Sequence, residues 1–363
     1  MKIALVHDYL TQSGGAERVL KAFSELFPDA PIFTLVYDPA GTHFEFEGKN
    51  IHTSFLQKIP GSRRFHRAFL PLMPFAIERL DLRDFDVVLS DAECFGKGVI
   101  TAPGALHICY CHTPPRFLWA GFQEHILQSP LPFFMKPLMP FFLTWLRVWD
   151  LQSATRPDTF LANSEFVAQR IKKYYRRDAR VIYPPVALSQ FNKPFTKADY
   201  YLLLMRLVPY KRPDIVIHAF NELGLPLKVV GAGPLFSSLK KMARPNIEFL
   251  GAIPHRNVAP FYGHALALLF PQEEDFGISA VESCAAGTPV IAFNKGGAQE
   301  IIKQGVNGLF FCQQTPEAVC KAVKDFQRMH FDDKLIRDSV QRFDEERFKK
   351  EILKVIENSS IKF

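Results

Sequence analysis

Two carboxylates, Glu274 and Glu282, stand with seven residues between them in the stretch EEDFGISAVESCAAGTPVIAFNKGGAQEIIKQGVNG. Glu274 follows the strand-like apolar run 265–270. Glu282 lies among small residues, Ser279, Ala280, Val281, Ser283, Ala285 and Ala286, that read as a closely packed helix. Phe276-Gly277-Ile278 would open that helix, and the N–H groups of a helix start are unpaired and favour anions. Carboxylates accept hydrogen bonds from sugar hydroxyls. Together these pieces describe a receptor for a polyol joined to a phosphate, which is a nucleotide-sugar site. An exposed helix glutamate is the plainer reading of Glu282. Its small neighbours imply burial, however, and burying a carboxylate without partners is costly. A ribose diol would supply them.

Cations should complement such a site. Arg206 and Lys211, in LLLMRLVPYKRPD, follow a strand-like run, and ligands of open α/β sheets bind beyond the carboxyl ends of strands. A guanidinium and an ammonium there would neutralise a diphosphate leaving group. A solvated basic loop is the alternative, and it suits Arg212. Gly14 and Gly15, after the first strand, read equally as a tight turn or a ligand-facing loop; the GxGxxG dinucleotide spacing is missing. Gly231 and Gly233, in VGAGP, would lay bare backbone against a nucleotide, or form an ordinary connector. The segment 295–300 has the same two readings, with Glu300 capping the helix that follows. His112, in CHTPPR, ends a strand-like run and is pinned by prolines, so its ring is placed to meet a donor sugar; a lone histidine is more often structural.

Other chemistries are excluded by what is missing. No Ser-His-Asp grouping, P-loop or catalytic cysteine signature appears, and the histidines show no metal-ligand spacing, so no metal is expected. Six cysteines (94, 109, 111, 284, 312 and 320) form no CxxC pair, which fits reduced thiols in a cytosolic protein. The net charge of +7 favours acidic partners. Nucleic acid is the weakest of these, since no basic cluster is interleaved with stacking aromatics. The N-terminus MKIALVHDYL reads as a first strand, not a secretory signal.

The elements that must position these residues alternate. Strand-like runs at 3–6, 32–36, 87–89, 106–110 and 159–162 are followed by a second series at 201–204, 227–230, 247–250, 267–270 and 289–292. Helical patterns at 17–26, 165–174, 213–223 and 316–327 lie between them. Such alternation implies parallel βαβ units, and a chain of 363 residues has room for about two domains. Tyr183-Pro184-Pro185-Val186 marks the break. The expected division is 1–187 and 188–343, with a helical segment 344–363 that could return to the first domain.

Residues 115–149 hold all three tryptophans, Trp119, Trp145 and Trp149, with many phenylalanines. Four prolines (130, 132, 137 and 140) and Lys136 rule out a straight membrane span, which needs about 20 apolar residues. The composition suits a segment lying at a membrane surface, with Arg63, Arg64 and Arg67 as a basic rim towards anionic lipid heads. A core insertion covering the first domain's sheet is the other reading.

The segments HDYLTQSGGAERV, HTPPRFLW, ANSEFVAQRI, MRLVPYKRPD and VVGAGP, with the E-x7-E block and GTPVIAFNKGGAQEII, occur in the order seen in the retaining glycosyltransferases of family four, which the chain resembles nearly end to end. HDYL…GGAER with CHTPPRFLW looks most like bacterial mannosyltransferases of surface-polysaccharide assembly. The resemblance implies a GT-B fold, two Rossmann-like α/β domains facing a cleft. It also implies a nucleoside diphosphate sugar donor, GDP-mannose by preference, and a glycan or polyprenyl-linked acceptor. The chain would work in the cytoplasm, peripherally at the inner face of the plasma membrane. In that family Gly14 and Gly15 would pass close to the donor phosphate, and Arg206 and Lys211 would hold the diphosphate. Glu274 would contact sugar hydroxyls, the amides of Phe276, Gly277 and Ile278 would line phosphate and sugar, Glu282 would bind ribose, and His112 would touch the transferred sugar. The chain departs from the family at Asp275, where glycine is common, and at Met205, where glycine often precedes the arginine. A sugar-nucleotide epimerase on the same scaffold and a non-catalytic nucleotide-binding or membrane-scaffold protein are the competing expectations.

Overall fold

The computed structural model describes residues 1–122, 136–191, 193 and 195–360. They form two compact units, one of residues 1–185 with the C-terminal segment from Phe348, the other of Val186–Arg347.

The first unit is built on β1 (Ile3–His7), β2 (Ile32–Thr34), β3 (Ile51–Thr53), β4 (Val87–Ala92), β5 (Leu106–Cys111), β6 (Thr159–Ala162) and β7 (Ala179–Val181). All pair in parallel, in the order β3-β2-β1-β4-β5-β6-β7. Every residue of β4 and β5 is buried, as expected for strands covered on both faces. The second unit carries β8 (Tyr201–Leu204), β9 (Leu227–Val230), β10 (Ile247–Gly251), β11 (Leu268–Phe270), β12 (Val290–Phe293) and β13 (Gly308–Phe311), parallel in the order β10-β9-β8-β11-β12-β13. Each unit is therefore a Rossmann-like doubly wound α/β layer.

In each sheet the strand order reverses once, between β1 and β4 and between β8 and β11. Loops leaving the carboxyl ends at such a reversal part to opposite faces, and the crevice left there is where ligands of these folds bind. His7 and Asp91 end the first pair of strands; Arg206 and Glu274 follow the second.

The helix Glu345–Ser360 buries Phe348, Ile352, Val355 and Ile356 in the first unit's core with Leu5, Leu20 and Phe23, and Phe348 stacks on Phe23 at 5.5 Å between ring centres.

Of the aromatic stretch, residues 123–135 with Phe133, Phe134, Pro130 and Pro132 lie outside the described residues. The helix Met139–Ser153 turns Met139, Leu143 and Leu146 into the core beside Leu118. Asp150, wholly buried, pairs with buried Lys97 at 2.6 Å and accepts from Trp119 Nε1 at 2.8 Å and Tyr175 Oη at 3.0 Å. An unpaired buried charge is expensive, so these contacts fix the helix over the sheet. On its opposite face Phe141, Trp145 and Val148 are 77%, 50% and 60% exposed. The inward face thus matches the core-cover reading, while the outward face is apolar and open to solvent. Among the described residues no helix is long and apolar enough to cross a membrane. None of the six cysteines forms a disulfide among the described residues.

Candidate functional site

In the second unit, β8 ends at Leu204 and the chain turns through Arg206 to Lys211 before the helix Pro213–Leu223. Arg206 is exposed, and its side chain makes no hydrogen bond or ion pair among the described residues. Lys211 Nζ lies 2.8 Å from Glu274 Oε1, both side chains about four-fifths buried. The contact is an ion pair without hydrogen-bond geometry, since Oε1 has no hydrogen-bond partner. Arg212 is not a free solvated cation: its guanidinium pairs with Asp214 at 3.1 Å.

The backbone of Glu274 is clamped. Gly297 donates its N–H to Glu274 O at 2.9 Å, and a Cβ on Gly296 would approach that oxygen to 2.3 Å. A Cβ on Gly297 would press on Phe276 O at 2.1 Å. The glycine pair of KGGAQE thus lets two loops close on each other. Beyond the clamp Phe276 is buried against Phe343, and Gly277, at φ 113°, precedes the helix Ile278–Ala285. No side chain caps Gly277, so the first N–H groups of that helix remain available to an anion.

Glu282 is 3% exposed, as its small neighbours suggested, but the protein supplies its partners. Oε1 meets His255 Nε2 at 2.8 Å and Oε2 accepts from Tyr262 Oη at 2.9 Å. A ribose diol is therefore not needed to satisfy this carboxylate. His255 and Tyr262 gave no sequence signal, being 27 and 20 residues distant. Gly231 and Gly233 are likewise explained by neighbouring backbone. Their φ values are 140° and 157°, and added Cβ atoms would meet Met205 O at 1.8 Å and Leu207 O at 2.3 Å. The glycines allow the β9 turn to lie against the chain leaving β8. Gln272, after β11, is 1% exposed and its Oε1 has no hydrogen-bond partner, a further acceptor at this strand end.

In the first unit the sheet brings His112 to company that the sequence reading overlooked. His7 and Asp91 are register partners at the ends of β1 and β4, and His112 donates its N–H to Ala92 O at 2.9 Å beside them. Asp91, wholly buried, meets His7 Nδ1 at 2.9 Å and His112 Nε2 at closer range. Burial alone would lower the His7 imidazolium, but the Asp91 hydrogen bond and charge outweigh it and raise His7 to about 9. The same opposition, burial against Asp91, ends with His112 raised. Asp91 is held below the usual carboxylate range, burial being outweighed by the two imidazoles. Glu17, 2% exposed on the helix Gly15–Leu26, stands 4.0 Å from His7 Nε2 and is raised by burial; its Oε2 has no partner. Gly14, extended at φ −149°, and helical Gly15 use no left-handed backbone; a Cβ on Gly14 would lie 3.0 Å from Glu17 Oε2. The signal available to a sequence reader was position, since His7, Asp91 and His112 all end neighbouring parallel strands. Among the described residues no cluster of His, Cys, Asp and Glu has metal-holding geometry.

Two family models match the chain: "Glycosyltransferase Family 4" over residues 13–190 and "Glycosyl transferases group 1" over 187–342. An uncharacterized glycosyltransferase of Methanocaldococcus jannaschii is 31% identical over 329 residues, 87% of this chain and 85% of that protein. A GDP-mannose-dependent alpha-(1-6)-phosphatidylinositol monomannoside mannosyltransferase of Mycobacterium tuberculosis is 29% identical over 39% of this chain and 42% of its own length. Among solved structures, Anabaena Alr3699/HepE in complex with UDP superposes with a TM-score of 0.70 at 16% identity over 99% of this chain and 100% of that one. Sucrose-phosphate synthase from Thermosynechococcus elongatus gives 0.72 at 14% identity over all of both chains. These likenesses show the fold, and the Methanocaldococcus relative shows the family. Two Rossmann-like units, matched by these models over residues 13–342, and the 31% identical relative make the chain a member of the family 4-like, group 1 glycosyltransferases of GT-B fold.

Proposed function

We propose that the protein transfers a hexose, mannose by preference, from a nucleoside diphosphate sugar to a lipid-linked or polysaccharide acceptor, with retention at the anomeric carbon. The observation that carries this reading is the Lys211–Glu274 pair, set 2.8 Å apart beside an uncapped helix start. Lys211 and Arg206 supply charge to the diphosphate, the amides after Gly277 receive phosphate oxygens, and Glu274 accepts from sugar hydroxyls. Glu282 binds the ribose with His255 and Tyr262 as its existing supports. As C1 separates from the diphosphate oxygen, the electron pair leaves with the nucleoside diphosphate. The acceptor hydroxyl bonds to C1 from the same face and its proton passes to the departing phosphate. Cations placed in advance offset the charge that grows on that phosphate, which lowers the barrier to breaking the bond. No nucleophile of the protein is required.

The GDP-mannose dependence of the Mycobacterium tuberculosis relative supports mannose and guanine. The epimerase alternative draws no support: both matching models and the named relatives are transferases. The open apolar face of Phe141, Trp145 and Val148, with exposed Phe65, Leu72 and Phe75 near Arg63, Arg64 and Arg67 in sequence, supports docking on an anionic membrane surface where a polyprenyl-linked acceptor resides. The deciding experiment incubates the protein with a panel of sugar nucleotides and polyprenyl diphosphate acceptors and reads the anomeric configuration of the product by NMR. A product of inverted configuration, or isomerised donor without transfer, overturns the reading.

A further inference from the structure

Asp91 has no role in the transfer chemistry outlined above, yet it is wholly buried between two histidines from neighbouring strands. Its Oδ2 meets His7 Nδ1 at 2.9 Å, its Oδ1 meets His112 Nε2, and neither oxygen is left to a ligand. We propose that Asp91 and His7 are positioning residues for His112: the shared carboxylate fixes the His112 ring so that Nδ1 is the nitrogen presented to a carbohydrate hydroxyl. This rests on the transferase reading, in which His112 touches a sugar.

Three features carry the proposal. The hydrogen bond to Nε2 commits that nitrogen to Asp91 and sets the ring plane, while Tyr110 packs edge-on at 5.4 Å and limits rotation. The backbone of His112 is held at both ends, its N–H by Ala92 O and its carbonyl by Asn163 Nδ2 at 2.9 Å. His7 occupies the other carboxylate oxygen, so Asp91 cannot swing away from His112 without abandoning it. A histidine used as a donor needs its tautomer or charge fixed by what the other nitrogen touches, and this arrangement does so.

The charged groups facing the two rings are Asp91 on β4, Glu17 on the helix Gly15–Leu26, Asp8 after β1, and Glu93 after β4. Asp8 is spent on the N–H groups of Glu93, Cys94, Phe95 and Gly96. All four are acids, and they favour the protonated rings. With Nε2 held by Asp91, Nδ1 is the nitrogen left to a sugar oxygen, and the imidazolium that Asp91 favours carries an N–H there.

Three proteins, wild type, Asp91→Asn and His7→Gln, are compared in three measurements. Ring nitrogen NMR on protein labelled with 15N-histidine reports the charge and tautomer of His112. Steady-state kinetics across pH give kcat and KM, and calorimetric titration with GDP reports nucleotide binding. The expected result is an imidazolium His112 in the wild type that becomes neutral near pH 7 in Asp91→Asn. That variant's kcat should fall roughly ten- to a hundredfold, as for lost partners that orient a functional histidine. The alkaline limb of its pH profile should move to lower pH while GDP binding stays within about twofold. His7→Gln should show the same changes in smaller measure. An unaltered His112 spectrum and pH profile in both variants overturns the proposal, even where stability falls, because a structural role moves only the melting temperature. Should Asp91→Asn not fold, His7→Gln decides by the same criteria. Absence of transfer in the wild type counts against the transferase reading, and the ring spectrum then judges the array alone.

Discussion

Lys211 and Glu274 come from loops after β8 and β11, 63 residues apart in sequence, and meet as an ion pair of 2.8 Å with both side chains about four-fifths buried. The pair holds an ammonium and a carboxylate in place before any ligand arrives. In the proposed function that placement serves donor binding.

Loss of either cation should therefore act on chemistry. Lys211→Ala and Arg206→Ala are each expected to cost about 2.7–4 kcal/mol in kcat/KM, by analogy with removal of one preorganised oxyanion donor. Melting temperatures should stay close to wild type. Initial-rate kinetics beside differential scanning calorimetry separate the two effects.

Glu282 should show both. Glu282→Ala strands the His255 ring and the Tyr262 hydroxyl, and a buried polar group left without its partner costs about 1–3 kcal/mol. Denaturant unfolding should register that loss. Titration with the donor should show weaker binding in the same variant. His255→Ala, at a side chain 39% exposed, should lose less stability.

The clamp on the Glu274 loop makes a sharper claim about backbone. Gly297→Ala puts a methyl 2.1 Å from Phe276 O, which must displace the segment 274–277. Donor affinity should fall at least as far as in Glu274→Ala, although residue 297 carries no functional group. Gly231→Ala, at φ 140° with Met205 O 1.8 Å away, should instead destabilise the unit by more than about 1 kcal/mol, since the strain is distributed into the sheet.

The His7–Asp91 contact links stability to pH. His7 is raised from 6.5 to about 9 in the folded protein, so its contribution is complete below the unfolded value and is lost as pH climbs through about 9. The wild type should melt at falling temperature between pH 6.5 and 9.5, by about 2–4 °C for each kcal/mol lost in a unit of this size. His7→Gln should flatten that slope. Calorimetry in matched-ionic-strength buffers gives the comparison.

Much of this architecture was legible because apolar runs and helix periods recur along the chain: the ten strand runs and the helices at 165–174, 213–223 and 316–327 lie where the sequence places them, within two residues at their ends except at β4, which runs three residues further. β3, β7 and β13 escaped notice. Each is a short strand at a sheet edge; in β3 and β7 half-exposed residues blur the pattern, and β13 is only four residues, opening on a glycine. Within the site, Lys211 and Glu274 could be paired in advance because both follow strands of one sheet. The partners of Glu282 could not, since His255 and Tyr262 reach it from separate helical segments, whereas His7 and Asp91 stand beside His112 at the ends of neighbouring strands and only the strand order joins them. The glycines carried two readings for a physical reason: close approach of ligand and close approach of backbone ask for the same missing Cβ.

The account depends most on the grip of Lys211 and Glu274 on a pyrophosphorylated sugar, and calorimetric titration of GDP-mannose into wild type, Lys211→Ala and Glu274→Gln measures it directly. The prediction is saturable binding to the wild type, weakened by roughly tenfold or more in each variant, in line with the loss of about 1.4 kcal/mol or more per contact, at unchanged melting temperature. Equal affinity in all three proteins would contradict it.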